Sequence, residues 1–439
     1  IIPAACGEAL HRDVIKNTLE LEQITGIGAR RMVRGRLAAA ATRSVLTASV
    51  LAPFVVASFL FGGIELVWVL VWIYVLLLGS VCACAVCVFL GALSTHRKKP
   101  GRSVSPVIGL AFIFPLMGLM SGGWEPLRRL LTALLRTSSP AAALALCLGG
   151  GSVLAALAIM FLNAASTNCL TFKQDRSSAR TKLLALLIAL ALFALLLGLG
   201  GLFGGGSDIA LMTFEVFSCL LIGGCCFGWI IADTHVPARH RARLEPRGPL
   251  ARLLYLPLRN GASSTAVYLL LSMGMVGVCA VLLHVSRPGR MAPLVGGPNP
   301  YAFYPVPLTV TYVLYFSALT HCITRLLPRR FRTSAARTRV MALLLVFNLV
   351  LIAVVIGALG WQLEELTCGP LAFLPVLYVV SLQEPVRAAA FLSHMVGPFQ
   401  LGFTYHLVLL LREAPGFGMA ARAEAPSPAR AAAGSAEGG

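Results

Sequence analysis

Long apolar runs, separated by short polar and basic connections, dominate the chain. Runs of spanning length cover 38–60, 65–92, 104–121, 141–163, 183–203, 210–232, 264–285, 303–324, 340–360, 366–382 and 390–411. A helix needs about 20 apolar residues to cross a hydrocarbon core about 30 Å thick. Backbone polar groups find no water there, so only helices or closed barrels can cross. Barrel strands would alternate apolar and polar positions, and these runs do not. The pattern predicts an all-α fold: a polytopic transmembrane helical bundle of about 10–11 spans.

Composition strengthens this reading. The chain is 58% hydrophobic and 12% charged, whereas soluble domains carry about a quarter charged residues. No water-soluble fold of this size could bury so much apolar surface, so the excess faces lipid. The longest polar connection, 233–263, holds Pro237, Pro246 and Pro249 and divides the runs into two groups. The expected organisation is a cytoplasmic segment at 1–36 that opens on the apolar Ile1–Cys6, a first helical bundle at 37–232, a cytoplasmic loop at 233–263, a second bundle at 264–411 and a tail at 412–439. The tail is rich in Ala, Gly, Pro and Ser and cannot build a core, so disorder is expected.

The net charge of +19 would suggest nucleic acid in a soluble protein. Here the cations sit in connections, with no aromatic-interleaved basic domain and no zinc-finger spacing, so no nucleic-acid partner is expected. Arg12, Lys16, Arg30, Arg31, Arg34, Arg36 and Arg43 precede or enter the first run. Arg97, Lys98, Lys99 and Arg102 follow the second; Lys173, Arg176, Arg180 and Lys182 follow the fourth. Six arginines between 239 and 259 follow the sixth, and six between 325 and 339 follow the eighth. Against these stand Arg128, Arg129, Arg136, Arg287 and Arg290 in the alternate connections. The bias places the first set in the cytoplasm. The side of the tail stays open: it depends on whether 366–382 and 390–411 both cross.

Candidate chemistry is sparse. No Walker A loop, G-x-S-x-G elbow or H-E-x-x-H helix occurs. Glycine groups at 149–151 and 204–206 suit helix packing or turns better than phosphate cradling. Cys82, Cys84, Cys87, Cys147, Cys219, Cys225, Cys226 and Cys279 lie inside apolar runs, where cysteine acts as a small hydrophobe. No metal site or cofactor is expected, and no catalytic residue. Glu215, Arg43, His321 and His394 are ionisable groups within or near runs. Each is a functional candidate, set against the plainer reading of an end residue reaching the headgroups.

The segment 8–36 carries the most information. At 100° per residue, Leu10, Val14, Leu21 and Ile24 share one face of a helix over 10–24. Arg12, Lys16, Glu20 and Gln23 lie opposite. Gly26 and Gly28 end it, and the basic run Arg30, Arg31, Arg34 and Arg36 leads into the first span. Such a helix either lies on the headgroups or docks in a partner's groove.

Gly7, Arg12, Thr18, Leu19, Leu21, Thr25, Gly35 and Arg36 fit the frame of a known coupling segment. With the following span, Gly62-Gly63 and the return to His96–Lys99, the stretch 7–100 resembles the membrane subunits of type-2 ABC transporters. His11, Asn17, Gly26 and Arg36 depart from the family pattern. The resemblance implies an export permease in a bacterial inner membrane, paired with a separate ATP-binding subunit and acting as a homo- or heterodimer of permeases. ATP hydrolysis would then belong to the partner chain. It also implies that Arg12, Thr18, Leu19, Glu20, Leu21 and Thr25 make up the coupling element. In that family, spans precede this segment. Ile1–Cys6 is apolar up to Gly7, so at least one further apolar run is expected upstream. The competing readings are an ion-coupled secondary transporter and a membrane scaffold that transports nothing.

Overall fold

The computed structural model describes residues 28–60, 66–94, 140–170, 178–202, 208–232, 256–258, 261–285, 305–326, 398–409 and a few isolated positions between 337 and 344. The helices are α1 (Ala29–Leu60), α2 (Leu66–Ser94), α3 (Pro140–Leu170), α4 (Ala179–Leu202), α5 (Asp208–Ala232), α6 (Ala262–Val285) and α7 (Pro305–Leu326). A helical stretch at 398–409, here α8, and a 3-10 turn at Leu256–Leu258 complete them. No strand occurs among the described residues.

Five of these helices contain stretches long and apolar enough to cross a membrane: Ala29–Phe54, Ile73–Leu93, Ala141–Leu170, Ala179–Leu199 and Ala262–Leu283. The chain is an all-α, multi-pass integral membrane protein. Large apolar side chains such as Phe54 and Leu220 are 69% and 72% exposed, which water would penalise and lipid would not. The expected spans 104–121 and 366–382, the helix at 10–24, the tail and all but isolated positions of the expected span 340–360 lie outside the described residues.

The chain divides into two compact units. The first comprises 1–225, 237–260 and 271–306; the second comprises 226–236, 261–270 and 307–439. In the first unit, α1 packs on α2 and α3, α2 on α3, and α3 on α4. The α1–α2 seam uses small side chains. Ala40 and Ser44 of α1 are buried, as are Cys84, Cys87, Val88 and Ala92 of α2. Ser44 Oγ lies 3.9 Å from Cys84 Sγ. Lipid offers no hydrophobic drive between helices, so close backbone approach through small residues supplies the packing.

Contacts fix the helix directions. Val33 clusters with Val88, Ala92 and Leu170, while Ser44 meets Cys84, so α1 and α2 are antiparallel. The Tyr74 hydroxyl meets Ser152 Oγ, while Ala92 clusters with Leu170, so α2 and α3 are parallel. Between α3 and α4 the glycines interlock. Leu195 sits over Gly150, and Leu146 lies 2.9 Å from where a Cβ on Gly198 would stand. That pair is antiparallel. The start of α1, the ends of α2 and α3 and the start of α4 therefore share one end of the unit.

In the second unit, α7 and α8 approach at backbone distance. A Cβ on Gly402 would lie 2.8 Å from the Leu314 carbonyl carbon and the Tyr315 nitrogen. His406 meets Ser317, and Tyr405 meets His321 and Arg325. Position advances together on both helices, so α7 and α8 are parallel. Trp229 and Tyr268 meet edge to face at 6.2 Å.

Candidate functional site

The predicted coupling residues Arg12, Thr18, Leu19, Glu20, Leu21 and Thr25 lie outside the described residues. What is described is the point where their segment enters the bundle. Gly28 caps α1, its carbonyl accepting from the backbone N–H groups of Arg31 at 2.8 Å and Met32 at 3.3 Å. The basic run occupies the first turns of α1 as one continuous helix with the span. Ala29 and Val33 are buried in a cluster with Val88 and Ala92 from the end of α2 and Leu170 from the end of α3, with Cys169 packed against it. Arg31 and Arg34 point outward, and Arg30 experiences the like charge of Arg180 and Arg34. An apolar key under a cationic rim thus ties the first turns of α1 to two other helix ends.

The start of α4 is fastened separately. Ser178 accepts the Lys182 backbone N–H at 2.9 Å and the Thr181 hydroxyl at 2.8 Å. Lys182 is fully buried, and its Nζ donates to the Pro257 carbonyl at 3.1 Å. A cation in the first turn of a helix opposes the macrodipole, and the carbonyl offsets part of that cost. Pro257 lies in the expected loop 233–263, and its turn Leu256–Leu258 packs on α4. The sequence reading counted Lys182 only as a loop charge.

The second unit holds a polar cluster. His321 meets the Ile230 carbonyl through Nε2 at 3.2 Å, two residues before the α5 terminus at Ala232, where carbonyls lack intrahelical donors. Its ring stacks on Tyr405 at 6.1 Å, and the Arg325 guanidinium lies over the Tyr405 ring at 5.7 Å. His406 Nε2 lies 2.9 Å from Ser317 Oγ, which donates to the Leu314 carbonyl at 3.0 Å. The headgroup reading of His321 does not hold here: the ring is buried and fastens α5 to α7. Arg43 is exposed on α1. His394 lies outside the described residues. His406 meets the criterion that drew attention to His321, an ionisable side chain within an apolar run, but was not singled out from the sequence.

Glu215 is the third feature. Its side chain is fully buried in α5 of the first unit, and neither carboxyl oxygen has a hydrogen-bond partner. The expectation of an end residue reaching the headgroups fails for it as well. None of the described cysteines is in a disulfide, and Cys84, Cys87, Cys219, Cys226 and Cys279 are buried. Among the described residues, no three His, Cys, Asp or Glu side chains converge as metal ligands would. No family model, curated protein or solved structure matches the chain.

Proposed function

We propose that the chain is the membrane subunit of a type-2 ABC transporter, an export permease driven by a separate ATP-binding subunit that docks on 8–36. The observation that supports this reading is the anchoring of the first turns of α1. A lever must be rigid and must grip what it moves. α1 is unbroken from Ala29, and Ala29 and Val33 grip the ends of α2 and α3 together. Motion imposed on the preceding segment would then be shared among three spans, with no chemistry in the membrane.

The test is co-expression with a candidate ATP-binding subunit, sought among the genes next to this one, followed by pull-down. Burying a leucine side chain contributes about 1.5–3 kcal/mol. Leu21→Asp should therefore lower ATPase recovery by at least about tenfold, while Gln23→Glu on the polar face leaves it unchanged. Equal recovery with wild type and both variants would reject the docking role.

A further inference from the structure

Glu215 stands within α5, two residues before the apolar stretch Phe217–Ile230. Ser218 follows it by three positions, so both occupy one face of the helix. Both side chains are fully buried. Neither carboxyl oxygen of Glu215 nor Ser218 Oγ has a hydrogen-bond partner. The described contacts around this face are apolar or soft: Phe214 meets Phe193 of α4 at 5.9 Å, and Cys219 Sγ lies 4.0 Å from Met273 Sδ of α6. Cys219, four positions after Glu215, is the titratable residue on the same face of α5.

A carboxyl withdrawn from water with no donor is strongly disfavoured as a bare anion. It is tolerated when positive charge joins it, as a proton on the carboxyl or as a metal ion held by oxygens. A serine hydroxyl one turn away supplies a further oxygen ligand suited to a hard cation. An ionisable side chain set into an apolar helix of a membrane protein is by default a candidate functional site. We propose that Glu215 and Ser218 form a buried site for a small cation, a proton or an alkali-metal ion. The site is independent of ATPase docking, because it lies on α5 and involves neither 8–36 nor the first turns of α1.

The test uses a hydrophobic carbodiimide on the full chain in detergent micelles, with the modified peptide located by mass spectrometry. This reagent reacts with protonated carboxyls in apolar surroundings. Glu215 is expected to be labelled at neutral pH, where water-exposed carboxyls of the same chain are not, and to lose label as pH rises. If sodium or potassium lowers the labelling at fixed pH while choline does not, the occupant is an alkali-metal ion, and Ser218→Ala should remove that protection without removing the label. If neither salt protects, the occupant is the proton. Absence of label on Glu215 at every pH would overturn the proposal, as would labelling indifferent to pH and to alkali ions. The wild-type chain carries the readout, so the result does not depend on a variant folding.

Discussion

At the scale of single residues, two glycines that look alike in sequence differ in what surrounds them. A Cβ on Gly402 would stand 2.8 Å from the backbone of Leu314 and Tyr315, which cannot yield without moving a helix. Gly150 faces the tip of the Leu195 side chain, which can rotate away. Gly402→Ala should therefore destabilise the chain by about 1–3 kcal/mol, and Gly150→Ala by less. Thermal unfolding in detergent would measure both, and equal shifts would show that the α7–α8 approach is looser than described. His321 offers a second test. His321→Phe keeps the ring but withdraws the hydrogen bond to the Ile230 carbonyl, at a cost of about 1–3 kcal/mol. Amide exchange should rise at the end of α5. The sequence revealed that His321 and Glu215 were costly residues to place in apolar runs. It could not reveal that both turn inward, because burial depends on neighbours tens of positions away, 91 for His321 and Ile230, and on the helix face that packs.

At the scale of elements, hydropathy located most helices well. The runs 65–92, 183–203, 210–232, 264–285 and 303–324 correspond to α2, α4, α5, α6 and α7 within a few residues. It underestimated α1 and α3, which extend to Ala29 and Leu170 where the apolar runs suggested 38 and 163. Helices continue past the hydrocarbon into the headgroups, and a measure of apolarity is blind to those polar turns. The extra turns matter, because Val33 and Leu170 make the cluster that anchors α1. The small seam between α1 and α2 carries its own prediction. Ser44→Leu places a branched side chain against the buried Cys84, and should cost about 1–3 kcal/mol through overpacking; an exposed control such as Val50→Leu should cost little. The loop strap is testable as well. Lys182→Met withdraws the donor from the Pro257 carbonyl, so hydrogen exchange at Leu256–Leu258 should quicken while the centre of α4 is unaffected. Unchanged exchange at the turn would mean that this contact does not hold the strap.

At the scale of the whole molecule, helix directions were not legible in composition, yet they agree with the charge pattern. The start of α1, the ends of α2 and α3 and the start of α4 were assigned to one side by their arginines and lysines. The contacts of the first unit bring those same four termini to one end, with Arg30 close enough to Arg180 to sense its charge. In the second unit, the parallel α7 and α8 bring residue 409 to the same end as Leu326. The docking of an ATPase requires the arginine end to face the cytoplasm, so sidedness is the most direct test. Single cysteines replacing Arg31 and Arg180, in a chain whose native cysteines are changed to serine or alanine, would be treated with a membrane-impermeant maleimide. Labelling in inverted membrane vesicles but not in intact cells is the predicted result. Labelling of either position from outside intact cells would contradict it and, with it, the proposed docking of an ATP-binding subunit.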